Sequence, residues 1–353
     1  MRRIAAAFAA AVVVAVVPAP GAGALPEETK VSLWKDGLSF PIDLAWARGT
    51  NKLFFTEKNT GRVRVMVGRR LLRRPCVDLD VESAGESGAM GLVLHPRFAR
   101  NHKLYVFFTN DSPRENRVRR FVVRRNRCRR GRTIVAGVPA STGYHNGGQL
   151  EFVGGKLFVS VGENHDPSAA QDRSRRIGKV LRLNPDGTVP SGNPFSSPGD
   201  RNPVWSYGHR NPFGLAHEPG TRRLYETENG PSCDDELNRI VRGRNYGWGD
   251  GYDCGTAGVG PNPKRPLKRW SDVIVPTDPW FYEGRMQRLS GDLYVGDFSA
   301  GKLRRVHLNR KGTRVRRIHS IYDSPQGIVD VSKGPGGWLY FATPSSIRRI
   351  VPD

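Results

Sequence analysis

QLEFVGGKLFVSVGENHD, residues 149–166, decides the fold. It reads as an apolar entry, a Gly154-Gly155 turn, a strand of the type Leu-aromatic-x at Leu157, and a polar loop. The strand KVLRLN follows from Lys179, its apolar residues alternating with charged ones. A period of two marks a strand with one buried face, and paired glycines mark turns. The same unit recurs along the chain. Its central strands are LFF at Leu53, LYV at Leu104, LFV at Leu157, LYE at Leu224, LYV at Leu293 and LYF at Leu339. Its outer strands are RVRVMV from Arg62, VRRFVV from Val118, KVLRLN from Lys179, LNRIV from Leu237, KLRRVHL from Lys302 and SIRRIV from Ser346. A fixed unit that cannot bury its apolar face alone must stack on its neighbours. The reading is therefore all-β, a six-bladed β-propeller over residues 25–353. VSLWKDGLSF, residues 31–40, has no blade of its own and is expected to complete the last one, closing the ring. The longest spacings lie around residues 162–195 and 245–278, and these insertions are expected to wall a site, because loops carry function.

Forty-one glycines and 26 prolines in 353 residues suit short strands and many turns. Residues 1–24 read as a secretory signal: Arg2 and Arg3, an apolar run from Ile4 to Val17, and the small-x-small site Ala22-Gly23-Ala24. The run is short of the roughly 20 residues that span a bilayer, so an exported protein with no transmembrane segment is expected. The formal charge is +23, two of it from that leader. Such a balance favours anionic surfaces, including an anionic cell-wall polymer. The basic residues are scattered, as in RRNRCRRGR at 124–132, and form no nucleic-acid module, so no specific nucleic-acid partner is expected.

Cys76, Cys128, Cys233 and Cys254 allow three pairings in an oxidising compartment. Cys233 with Cys254 is favoured because both lie in one Gly-rich polar loop system, leaving Cys76 with Cys128. A zinc site is disfavoured, since no close-spaced cysteine pair is present.

Candidate chemistry concentrates between Trp205 and Trp248. GHRNPFGL, residues 208–215, sets Arg210 and Asn211 ahead of a proline, where the backbone is extended or turning and side chains project outward. NGPSCDDELN, residues 229–238, is a second loop dense in acceptors. One blade earlier, YHNGGQLEF places His145 at the mouth of a strand, where the residues alone leave open a structural histidine or a base. GENHDPSAAQD supplies Glu163, His165 and Asp166, open to the readings of a ligand cluster or a self-capped polar loop.

HNGGQL, IGKVLRLNPDGTVPSGNPF, YGHRNPFGLA, ENGPSCDDELNRI and RGRNYGW together resemble the pyrroloquinoline quinone (PQQ) dependent soluble aldose dehydrogenases, the glucose/sorbosone dehydrogenase family. The likeness starts at GESGAMGLVLHPRF, from Gly85, and runs through most of the remaining chain. It implies a six-bladed propeller, PQQ and calcium as cofactors, an aldose substrate and an external electron acceptor. His145 matches the family's general base, which takes the anomeric hydroxyl proton while hydride passes to the quinone. Arg210 and Asn211 match residues that touch the quinone oxygens. Gly230 and Pro231 match the pair whose carbonyls bind calcium, a hard cation suited to oxygen. Glu86 falls where a glutamine often lies beside the substrate, and its carboxylate can still accept a sugar hydroxyl.

The sequence departs from the resemblance in its last two blades. Where the family carries an Arg-x-Arg pair before Asp-Val, this chain reads QGIV before Asp330-Val331, and Ser299 stands at the lysine position. A buried charge without its partner costs about 3–5 kcal/mol, at least two decades of affinity. Lys302, with Arg285, Arg288 and Arg304 nearby, is the candidate to replace the lost cations. The expected function is PQQ- and calcium-dependent oxidation of an aldose at its anomeric carbon to the lactone. The alternative is a non-catalytic exported propeller that binds a glycan or an anionic cell-wall polymer.

Overall fold

The computed structural model describes residues 24–353, so the signal reading lies outside the described residues but for Ala24. Six antiparallel sheets form six blades around an axis. Blade one runs Pro41–Trp46, Lys52–Glu57, Arg62–Val67, with Arg70–Leu71 and Val77–Asp78 both pairing to the third strand. Blade two runs Ala89–Leu94, Lys103–Asn110, Glu115–Arg124 and Arg127–Pro139; blade three Gly147–Val153, Lys156–Val161, Lys179–Leu183 and Val204–Tyr207. Blade four runs Pro212–His217, Leu224–Glu228, Asp235–Ile240 and Lys268–Trp270; blade five Pro276–Tyr282, Asp292–Asp297, Lys302–Leu308 and Val315–Asp323. Blade six joins Asp330–Lys333, Leu339–Ala342 and Ile347–Pro352 to the first strand, Thr29–Lys35. That strand pairs Val31 with Ile350, so the ring closes as expected, although the strand ends at Lys35 and residues 36–40 turn toward blade one.

Each Leu-aromatic strand is the second of its blade and is buried on both faces: Leu53, Leu104, Leu157, Leu293 and Leu339 have no exposed surface, and Leu224 almost none. Stacked blades sandwich this strand, which is why it reads as a near-continuous apolar run. The strands read as outer are instead the third of each blade. The outermost strands lack the pattern for different reasons: Arg127–Pro139 is mostly exposed and arginine-rich, Arg70–Leu71 is only two residues long, and Val204–Tyr207, though mostly buried, spans only four. The innermost strands pack side by side around the axis, each against the next. Both disulfides form, Cys76–Cys128 and Cys233–Cys254. The first ties the edges of blades one and two, where Cys128 N–H also donates to the Cys76 carbonyl at 2.8 Å.

Candidate active site

Loops that precede each innermost strand, and those between second and third strands, emerge on one face of the ring. His145 lies on that face with φ of 51° and is 9% exposed. Its left-handed backbone turns the chain into the first strand of blade three. Glycine at 162 makes the next step: a Cβ there would lie 2.0 Å from the His145 carbonyl oxygen. That close approach sets Glu163 beside His145, whose Nδ1 bonds Glu163 Oε1. Glu163 is 1% exposed, and its second oxygen accepts the Asp166 N–H. Asp166 in turn caps the short helix Pro167–Gln171 through the Ala169 N–H.

His165 completes the pair found in the sequence, its Nε2 3.2 Å from His145 Nε2. Burial, then the neighbouring His145, hold the His165 imidazole below its ordinary pKa. It is therefore neutral near pH 7 and presents one N–H and one lone pair. With Glu163 accepting from Nδ1, His145 keeps the Nε2 lone pair that a base requires.

Arg210 and Asn211 reach the same face from the turn between blades three and four. The Glu163 N–H donates to the Arg210 carbonyl at 2.9 Å, and the Arg210 N–H donates to Glu228 Oε1. The guanidinium donates to the Asn229 and Gly230 carbonyls at 2.9 and 2.7 Å and lies over the Trp248 ring, 5.3 Å from its centre. Burial lowers the Arg210 pKa, opposed by Glu163, Glu86, Glu228 and Asp235. Arg210 Nε and Trp248 Nε1 are both buried without a partner among the described residues. Such donors cost free energy unless something accepts from them, and together they mark where an acceptor group fits.

Glu86 enters from the loop between blades one and two. Its Oε2 accepts the His145 N–H at 2.8 Å and Asn211 Nδ2 at 3.0 Å, while Asn211 Oδ1 accepts the Gly147 N–H at 3.1 Å. Glu86 thus clamps the two loops that carry His145 and Asn211. Burial depresses the nearby Lys58 ammonium, and Glu86 works against that depression.

Gly230 is fixed by sterics, since a Cβ there would lie 1.9 Å from the Cys233 carbonyl oxygen. The turn it opens is held by Cys233–Cys254 and by Tyr252, whose hydroxyl donates to Asp234 at 2.8 Å. The Gly230 carbonyl, read as a calcium ligand with that of Pro231, serves Arg210 in this structure. The paired Asn229 and Gly230 carbonyls are a hard-oxygen donor set already holding one positive charge.

The part of this face built by blades five and six is sparse in charge. The turn at 298–300 carries Phe298, Ser299 and Ala300, and Phe298 faces Phe40 with ring centres 6.4 Å apart. Gln326 accepts from Thr343 and Ser345 at 2.9 and 2.8 Å. Arg304 is consumed by Asp297, which also caps the turn through the Ala300 N–H. Arg285 stacks on Trp338, and Arg288 sits in the 3-10 turn Gln287–Leu289, both at the opposite end of blade five. Lys302 alone stands at this face, opening the third strand of blade five, and its ammonium makes no hydrogen bond or ion pair among the described residues. Of the insertions expected as walls, 162–172 supplies Glu163 and His165, and the second reaches the site through Trp248, held by Gln171 at 2.6 Å. The stretch 195–203 lies instead over a groove lined by Arg173, Arg176 and Arg201.

Sequence reading missed a buried acidic layer beneath Arg210. His209 Nδ1 lies 3.1 Å from Glu228 Oε2, and Glu226 is fully buried with neither oxygen bonded. Burial and the Glu228 charge push the Glu226 carboxyl well up, and burial raises Glu236 to about 8.

The sequence profile of the glucose/sorbosone dehydrogenases matches residues 38–351. The chain belongs to that family. It is 30% identical over 349 residues to the aldose sugar dehydrogenase YliI of Escherichia coli, covering 93% of each chain. It is 29% identical over 269 residues to quinoprotein glucose dehydrogenase B of Acinetobacter calcoaceticus, covering 67% of this chain and 55% of that one. The PQQ-bound aldose sugar dehydrogenase of Streptomyces coelicolor superposes with a TM-score of 0.80 at 27% identity, over 94% of this chain and 100% of that one. Membership agrees with the motifs that carried the resemblance and with the six-bladed ring.

Proposed function

We propose that the protein is an exported aldose dehydrogenase that oxidises a sugar at its anomeric carbon to the lactone, with PQQ and calcium as cofactors. The observation that carries this reading is the His145–Glu163 pair set beside Arg210, whose Nε lacks a partner. The anomeric hydroxyl takes the place of His165 Nε2 at His145 Nε2 and gives up its proton there. Glu163 stabilises the imidazolium that forms, and Glu86 and Asn211 keep the loop from shifting. Arg210 stabilises negative charge developing on the acceptor's oxygens. PQQ, when bound, supplies the acceptor for the hydride pair leaving carbon, and an external acceptor then drains those electrons. Among the described residues no helix is long and apolar enough to cross a membrane.

The residues fit PQQ at one end only. Arg210, Asn211 and Trp248 suit the quinone, and the Gly230 carbonyl with that of Pro231 suits a hard cation once Arg210 releases it. PQQ also bears carboxylates, and the wall of Phe298, Ser299 and Gln326 offers them no cation beyond Lys302. Weak cofactor binding is the consequence. The test is calorimetry with PQQ, with and without calcium, beside dye reduction by a panel of aldoses. Absence of both binding and turnover would overturn the reading.

The net charge of +23, together with the missing partners for the PQQ carboxylates, favours a second reading, a propeller that binds a glycan or anionic wall polymer without oxidising it. Retention on anionic polysaccharide that salt abolishes and His145→Ala leaves unchanged, with no dye reduction by any aldose, would select it.

A further inference from the structure

Beneath the site, the six innermost strands present one residue each at the same height: Asp43, Gly91, Gln149, Gly214, Asp278 and Asp330. Asp43 pairs with Thr56, Gly214 with Thr227 and Asp330 with Ala342, in each case three residues past the repeat's leucine. Three of the six are therefore carboxylates, from blades one, five and six. Their oxygens converge on the axis within 4.8 Å of one another, and all three side chains are buried.

Part of this carboxylate surface is spoken for. Asp43 Oδ2 accepts the Leu92 N–H at 2.5 Å, and Asp278 Oδ1 accepts the Leu215 N–H at 3.1 Å, each reaching to a neighbouring blade. Asp330 differs, for at 1% exposure its Oδ2 is buried with no donor. Among the described residues no lysine, arginine or histidine stands among the main influences on any of the three. A cavity of about 10 Å³, enough for one small occupant, adjoins the group on the side of Asp43, Asp278, Gln149 and the Gly147-Gly148 turn; Asp330 does not line it.

Three buried carboxylates this close cannot remain ionised without a counter-charge. Gln149 gives its oxygen to the Leu150 N–H at 2.7 Å and turns its amide N–H toward Asp43 and Asp278, a neutral donor that brings no charge. Carboxylate oxygens on rigid strands select a hard cation, calcium or magnesium, over softer metals. We propose that Asp43, Asp278 and Asp330 hold a hard divalent cation, calcium or magnesium, on the propeller axis. This ion pins blades one, five and six together from inside. It is distinct from the calcium proposed at the Gly230–Pro231 turn, which lies at the open face, and it does not depend on the dehydrogenase reading.

The test reads metal and stability and leaves activity aside. The protein is dialysed natively against EDTA, and retained calcium and magnesium are measured by mass spectrometry. One equivalent of one ion is expected to stay, because the site is closed, while metal at the open face leaves. Protein unfolded in guanidinium with EDTA and refolded without divalent ions is expected to melt at a lower temperature. Separate refolding arms with calcium and with magnesium restore the midpoint and identify the ion. Asp330→Asn and Asp278→Asn are expected to retain no metal, and should either fail to fold, the wild-type refolding arms decide alone. No retained equivalent in the wild type, together with a midpoint indifferent to both ions, would overturn the proposal and leave shared protons as the counter-charge. Retention of the ion by a folded Asp330→Asn variant would overturn it as well.

Discussion

Blades three and four and blades five and six present the same kind of loops to the same face, yet they fill them with opposite chemistry. Around Arg210 lie Glu163, Glu86, Glu228 and His145, tied by bonds that cross from blade to blade. Around Phe298 lie Ser299, whose N–H donates to the Ile274 carbonyl, and Gln326, which accepts from Thr343 and Ser345. A reactive end needs groups placed to a fraction of an ångström, and so needs buttressing. An anchoring end needs only charge, which point changes in a loop remove without disturbing the blade beneath. The two parts of the face are therefore built differently, one buttressed between blades and the other not.

The sharpest way to break this contrast is His145→Ala. Loss of a general base is expected to cut turnover about 100-fold to 10,000-fold, with an unchanged circular dichroism spectrum. Activity equal to wild type would remove His145 from the chemistry. Adding charge to the part built by blades five and six is the complementary change: Ser299→Lys with Gln326→Arg is expected to tighten PQQ roughly 100-fold, the affinity equivalent of restoring a buried partner, read by calorimetry. No gain would show that this wall does not meet the cofactor.

A smaller effect is expected from Glu163→Gln. A charge-assisted bond of about 1.5–3 kcal/mol is replaced by a neutral one, so kcat falls roughly 10-fold to 100-fold while KM changes little. An equal rise in KM would make Glu163 a binding group. A last effect, on stability and not on turnover, probes the acidic layer beneath Arg210 by pH. Glu236 has its folded pKa raised to about 8 from an ordinary 4.5. The folded state keeps a proton that the unfolded state has lost, so its contribution is full below pH 4.5 and is lost as pH rises to about 8. Glu236→Gln is expected to flatten that part of the profile of denaturant midpoint against pH, a slope of at most about 1.4 kcal/mol per unit.

The blades were legible because each Leu-aromatic strand is buried on both faces, and its composition has no other use. Of the outermost strands, Thr29–Lys35 was legible as the closing strand, whereas Arg127–Pro139 is mostly exposed and carries no period, and Lys268–Trp270 is only three residues long. The cysteine pairing followed from loop proximity and holds. His145, Arg210, Asn211 and Gly230 stood out as motif residues, whereas the bond from His145 to Glu163 crosses between two loops and leaves no spacing signal. Buried Glu226, Asp43, Asp278 and Asp330 were invisible for a different reason. A carboxylate inside a strand reads as the solvent face of an alternating pattern, and only the stacking of six sheets shows that the axis receives it. Lys302 reached the expected face, while Arg285, Arg288 and Arg304 did not supply the missing charge, because sequence nearness on a blade does not say which end of the blade a residue occupies.

The pairing of Thr29–Lys35 with Ile347–Pro352 has a kinetic consequence. Five blades assemble from hairpins whose strands are neighbours in the chain, and these form early. The sixth joins residues from opposite ends, so its loop-closure entropy falls due only after everything between them is in place. Closure of this pairing is expected to come last, and until it forms the edges of Thr29–Lys35 and Ile347–Pro352 are open to pairing with another chain. Deleting residues 29–35 would leave blade six with three strands and the edge of Ile347–Pro352 bare, visible as concentration-dependent aggregation.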